Sequence, residues 1–161
     1  MNILVERVVK NWKFAGSVAP EYNAMQINKM GDGRKFSSKN KCDYWSEAFN
    51  LFGIIPSCVE PMFMNMTCLQ YKDQAFVHEH KDTAPNGFVH VRCNLMLKKP
   101  PTGGNPVIDG KELLVNEGDL WLCLSSLENH ASTPIAGGER LVFSFGGLVD
   151  YSQIDKIIYK N

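Results

Sequence analysis

His80 and Asp82 flank Lys81 in an H-x-D tripeptide, and His130 follows fifty residues after His80. Two imidazoles and one short carboxylate form the facial ligand set that holds non-haem Fe(II) and leaves coordination positions open. The same donors suit Mn, Co, Ni or Zn; the order of affinities does not select iron, whereas geometry and supply do. Arg140, ten residues beyond His130, adds a planar cationic fork of the kind that pairs with a carboxylate. A lone H-x-D arises often by chance, so the weight rests on His130 and Arg140 joining it. A metal, a diacid and an oxidative reaction are the combination these residues suggest.

The elements that must position them are mostly strands. On a regular strand, residues two apart face the same side, so an extended run over 74–80 brings His78, His80 and Asp82 to one face. His130 then arrives from a distant strand or loop. Further runs at 62–71, 88–97, 106–108, 111–115, 119–124 and 139–149 are short and bounded by turn residues. Asp109-Gly110 between two apolar runs predicts a hairpin, and Glu117-Gly118-Asp119 a second turn. Upstream, residues 3–14 and 22–28 read as strands. Residues 43–52 read as a helix, with Tyr44, Ala48, Leu51 and Phe52 at near-helical spacing, Asp43 as a cap and Gly53 as the stop. Residues 154–159 are a short terminal helix or strand. Many short strands with few helices favour a sandwich or small barrel.

Bulk properties fit a single domain. The 161 residues are 44% hydrophobic and 21% charged, with zero formal net charge, so no whole-protein field draws nucleic acid or an anionic membrane. The charge is uneven: residues 1–41 hold eight Lys/Arg against three Asp/Glu, leaving an equal acidic excess downstream. The basic tract at 29–41 reads as a solvated loop, with a contact surface for an acidic partner as the alternative. The cysteine count, five, is odd, and no C-x-x-C pair occurs. That argues against a disulfide framework and for a reducing, cytoplasmic setting. There is no signal-peptide pattern and no apolar run long enough to span a bilayer.

Residues 71–82, from Tyr71 to Asp82, resemble the iron-binding strand of the prolyl 4-hydroxylase-like Fe(II)/2-oxoglutarate dioxygenases, in which a Tyr commonly stands nine residues before the H-x-D, as Tyr71 does here. Cys93 to Gly104 is similar to their strand ending in a glycine-pair turn. Gly118 to Leu124 is similar to their G-D-apolar strand, and Asn129 to Ser144 to their H…P…G-x-R block. The resemblance spans about residues 66–148, and the order of the pieces makes the combination specific.

The resemblance implies a mainly β fold: a double-stranded β-helix (jelly-roll) core over residues 61–150, with flanking strands and one or two short helices over 1–60, forming one domain of 1–161. It implies that His80, Asp82 and His130 hold Fe(II), that Arg140 pairs with the distal carboxylate of 2-oxoglutarate, and that Tyr71 and Asn94 contact this co-substrate. Met96 stands where some relatives carry a Tyr, which leaves the carboxylate contacts incompletely assigned. His78 and Arg92 are candidate substrate-side groups, Arg92 having a peripheral ion pair as its alternative; His90 has no assigned role. The implied reaction uses O2, with ascorbate as a supporting reductant, and hydroxylates a C–H bond with release of succinate and CO2. The substrate is a peptide, with a prolyl residue as the target, or a small molecule. Three alternatives stay open: a cupin-like β-barrel binding metal through His78, His80 and His130; a nucleic-acid base hydroxylase or demethylase using the basic tract; and a binding or structural β-sandwich without chemistry.

Overall fold

The computed structural model describes residues 1–18, 22, 34–38 and 40–161, with the backbone alone at 34–38, 63 and 64. The expected strand at 22–28 and much of the basic tract at 29–41 therefore lie outside the described residues. The strands are β1 (Ile3–Glu6), β2 (Val8–Val9), β3 (Arg34–Ser38), β4 (Glu60–Tyr71), β5 (Phe88–Lys98), β6 (Pro106–Ile108), β7 (Lys111–Glu112), β8 (Leu120–Cys123), β9 (His130–Ser132), β10 (Arg140–Asp150) and β11 (Ile157–Lys160); helix α1 spans Trp45–Leu51. An antiparallel major sheet runs β2-β8-β5-β10-β4-β3, and a minor sheet runs β7-β6-β9. β1 pairs in parallel with β11. This is the expected jelly-roll: a mainly β chain folded as two antiparallel sheets, with the short helix α1 before the core.

Alternation along the major sheet divides two environments. Phe143 and Phe145 of β10, Val89, Val91, Cys93 and Leu95 of β5, and Leu120 and Leu122 of β8 are fully buried against Trp45, Ala48, Phe49 and Phe52. Each large apolar side chain withdrawn from water in this way contributes about 1.5–3 kcal/mol. The intervening residues face the other way, into a cavity closed by the minor sheet. α1 has no side-chain cap, so the packing of its apolar face holds it. Gly53, at φ +73°, terminates it, and the Ile54 N–H returns to the Phe49 carbonyl at 3.0 Å.

Two expected strands are interrupted. Residues 3–14 split between β1 and β2, which join different sheets, because the Arg7 side chain between them turns inward to Glu128. Residues 74–80 do not form a regular strand. They follow β9 and the residues after it through five backbone bonds: Gln74 N–H to the Ile135 carbonyl, Ile135 N–H to the Ala75 carbonyl, Ser132 N–H to the Val77 carbonyl, and the two reciprocal bonds of the His80–His130 bridge. Gln74 takes φ +68°, and the Ser132 hydroxyl accepts the Val77 N–H at 2.9 Å, so a side chain replaces a backbone partner and the ladder breaks. The Asp109-Gly110 hairpin forms as expected, both residues at positive φ (48° and 78°), joining β6 to β7. Among the described residues no helix is long and apolar enough to cross a membrane.

Candidate metal centre

His80 and His130 face each other across the minor sheet. The His80 N–H donates to the His130 carbonyl at 3.1 Å, and the His130 N–H to the His80 carbonyl at 2.9 Å. Their rings lie 4.2 Å apart between centroids. Each Nδ1 is held by a carbonyl two residues upstream: His80 by His78 at 2.7 Å and His130 by Glu128 at 3.1 Å. A carbonyl only accepts, so each Nδ1 carries the proton and each Nε2 keeps its lone pair. Asp82 closes the cluster, with Oδ1 3.5 Å from His80 Nε2 and 3.9 Å from His130 Nε2. One donor atom from each of the three residues lies within 4.8 Å of the others. Donors on one ion at about 2.1 Å stand at most about 4.2 Å apart, so the cluster closes on a cation with a shift of under an ångström. The exposed ring of His80 can supply that movement.

The backbone of Asp82 is anchored by its N–H to the Ser125 carbonyl at 2.7 Å, and its Oδ2 lies 3.3 Å from His90 Nδ1. Burial pushes the Asp82 carboxyl up, but contact with the His90 ring, the Ser125 hydroxyl and the charge of His130 outweigh it and hold the group at about 2. Burial lowers His130, the Glu128 carbonyl only partly opposing it. Both shifts favour the metal-binding forms, carboxylate and neutral imidazole, at neutral pH.

The cluster opens into a cavity of about 340 Å³ lined by the inner faces of both sheets. Arg140, the first residue of β10, is buried at its far part; its Nε donates to the Gly104 carbonyl at 2.8 Å. Among the described residues its terminal nitrogens have no hydrogen-bond partner. The guanidinium stands 5.9 Å over the Tyr71 ring and 6.0 Å over Trp121. Burial brings Arg140 down to about 10, so it stays cationic. The glycine pair shapes its seat: Gly103 and Gly104 both take φ +71°, and a Cβ on Gly103 would overlap the Pro134 carbonyl.

Tyr71, Asn94 and Arg92 all line the cavity. Tyr71 is the register partner of Arg140 on β4. Arg92 points inward: Nε donates to Ser144 Oγ at 3.1 Å and Nη2 to Thr67 Oγ1 at 3.3 Å, so its side chain forms part of the cavity wall. Met96 is fully buried and packs in a small cluster with Trp121, Cys123 and Val142. His78 stays outside the cavity lining, its exposed ring 4.5 Å from Phe76. The break at 74–80 therefore assembles His80, Asp82 and His130, and leaves His78 out. The roles of His90, Ser125 and the Glu128 carbonyl escape sequence reasoning; only the alternation of His90 with Arg92 and Asn94 marks it as cavity-facing.

No protein-family model and no curated protein matches the chain. Solved structures do. A viral collagen prolyl hydroxylase from Paramecium Bursaria Chlorella virus-1, in complex with 2OG, matches at TM-score 0.61 and 12% identity, over 89% of this chain and 94% of that one. HygX from Streptomyces hygroscopicus, with nickel and 2-oxoglutarate bound, matches at 0.57 and 9%, over 89% and 81%. NgTET1 in complex with 5mC DNA matches at 0.55 and 14%, over 96% and 75%. The chain spans 42% of a Burkholderia pseudomallei protein of the 2OG-Fe(II) oxygenase family, matched at TM-score 0.45 and 16% identity over 52% of this chain. At these identities the likeness is one of fold: the viral hydroxylase, HygX and NgTET1 share the fold found here.

Proposed function

We propose that this chain is an Fe(II)- and 2-oxoglutarate-dependent oxygenase that hydroxylates a C–H bond, consuming O2 and 2-oxoglutarate and releasing succinate and CO2. One observation carries it: a His-Asp-His cluster with both Nδ1 atoms held by carbonyls shares one cavity with a buried arginine whose terminal nitrogens have no hydrogen-bond partner among the described residues. His80, Asp82 and His130 would hold the metal through Nε2, Oδ1 and Nε2. The chemistry such an ion supplies is activation of O2 and oxidation of a C–H bond. The chain does the rest. Arg140 binds the distal carboxylate of 2-oxoglutarate, Tyr71 and Asn94 flank that ligand, and the apolar walls at Leu69, Ile108 and Val142 exclude water. A prolyl residue in a peptide is the favoured target, supported by the sequence resemblance and by the shared fold of the viral collagen prolyl hydroxylase.

The test is succinate formation from 2-oxoglutarate by the Fe(II)-supplemented chain under O2, with and without prolyl peptides or 5mC DNA. His80→Ala should lose turnover at least about 100-fold, and Arg140→Met should raise the KM for 2-oxoglutarate roughly 10–100-fold. Undiminished turnover in folded His80→Ala sinks the ligand assignment.

A further inference from the structure

The chain has three tryptophans, and their indole N–H groups differ in what they meet. Trp12 Nε1 donates to Glu47 at 2.7 Å. Trp45 Nε1 is sealed in the core without a partner. Trp121 stands on β8, where alternation sends Leu120, Leu122 and Leu124 into the core and turns Trp121, Cys123 and Ser125 to the cavity. Among the described residues its N–H has no acceptor. The residue is only 3% exposed, yet its nitrogen is not sealed as that of Trp45 is. The little surface left to it lies on the cavity that Trp121 lines.

A buried indole N–H ordinarily finds an acceptor, and leaving one unmet costs stability. The neighbours supply none: Trp121 packs against Met96, Ile108 and Val142. What stands beside it is a second unmet donor. The guanidinium carbon of Arg140 lies 6.0 Å from the centre of the Trp121 ring, its Nε is taken by the Gly104 carbonyl, and its terminal nitrogens have no hydrogen-bond partner among the described residues. Each hydrogen bond to a carboxylate oxygen spans about 2.8 Å, and a carboxylate offers two oxygens with about four lone-pair sites. One carboxylate is therefore within reach of both groups.

We propose that Trp121 is a binding residue for the distal carboxylate of the diacid: Arg140 supplies the charge, and the Trp121 N–H supplies a second, neutral donor to the same group. This rests on the diacid reading above and extends it. The indole adds direction without adding charge, and a ligand lacking the distal carboxylate forfeits both bonds at once. The face of the same ring steadies the guanidinium, so one side chain both places the cation and shares its ligand.

Nitrogen-15 spectra of the full chain loaded with diamagnetic Zn(II) test this. The Trp121 indole signal is the one missing from Trp121→Phe. 2-Oxoglutarate should move it downfield to saturation and leave the Trp12 and Trp45 signals in place, whereas 2-oxopentanoate, the monoacid with the same chain, should not move it. By calorimetry, Trp121→Phe keeps an aromatic face beside Arg140 and removes only the donor. It should bind 2-oxoglutarate about tenfold more weakly and 2-oxopentanoate as wild type does; equal loss for both acids marks a merely structural role and overturns the proposal. Should Trp121→Phe not fold by circular dichroism, the signal is assigned by its nuclear Overhauser contacts to Val142, and its shift decides alone. An unmoved Trp121 signal with 2-oxoglutarate bound, or wild-type affinity in folded Trp121→Phe, also overturns the proposal, and the diacid reading then stands on the loss in Arg140→Met. No binding of 2-oxoglutarate by the wild-type chain removes the diacid reading itself and the proposal with it.

Discussion

Asp82 is used on both of its oxygens. Oδ1 faces the two Nε2 atoms, while Oδ2 lies 3.3 Å from His90 Nδ1. His90 Nδ1 thus stands beside the oxygen turned away from the two Nε2 atoms, and groups that orient metal ligands typically matter 10–100-fold for affinity. His90→Gln should weaken Mn(II) binding by about that factor in a chain that melts normally, as titration by electron paramagnetic resonance would show. Protonation gives a second prediction. Asp82 is depressed in the folded state to about 2, so its stabilising contribution is complete above its ordinary value and is lost as pH falls through about 2. His130 is also lowered. On acidification the unfolded chain therefore takes up that proton first, and the metal-free protein loses stability as pH drops through the ordinary imidazole range near 6.5. Melts between about pH 7.5 and about pH 5.5 should show this, with a shallower slope in His130→Gln.

The segment carrying His130 is fastened by an element far away in sequence. Arg7, in the turn between β1 and β2, meets Glu128 in a bidentate pair at 2.6 and 2.8 Å, with side chains only 5% and 12% exposed. Glu128 also accepts the Leu124 N–H at 3.0 Å, and its own carbonyl holds His130 Nδ1. Removing one member of a buried pair strands the other charge, at roughly 3–5 kcal/mol. Arg7→Met should cost about that much in urea unfolding, and a double variant with Glu128→Leu should recover most of it. None of this was legible in the sequence, because nothing local marks Arg7 as inward-facing or ties it to a residue 121 positions on. The expected strand at 74–80 failed for a similar reason. Its residue types suit a strand, but the competing Ser132 hydroxyl comes from the far side of the chain. Where the pattern is purely local, as in the Asp109-Gly110 hairpin, the stop at Gly53 and the alternation of β5 and β10, expectation and structure agree.

At the scale of the whole molecule, the major sheet separates stability from chemistry. Phe145 and Ser144 are neighbours in sequence, yet Phe145 packs with Tyr44, Trp45 and Phe49 while Ser144 lines the cavity. Phe145→Ala should cost about 3–5 kcal/mol of unfolding free energy and leave the Mn(II) affinity of the folded fraction unchanged; a matching loss in affinity would show that the two faces are coupled. The H-x-D, His130 and Arg140 could be picked out from residue type and order along the chain although the H-x-D segment is not a regular strand, and Arg140 lies on the alternation that turns every second residue of the major sheet to the cavity. Arg92 and His90 share that alternation, but their partners lie on other strands, so register alone left their purposes open.

The backbone exchange between His80 and His130 bears on how an ion would arrive. Two of the three candidate ligands sit on peptide groups already bonded to each other, so their spacing is inherited from the sheet and owes nothing to a cation. The backbone of such a site is set in advance, and only the His80 ring has to adjust to an ion. Loading becomes a simple encounter between ion and finished protein, occupancy follows the free ion concentration around the chain, and an ion can leave and be replaced without the fold opening.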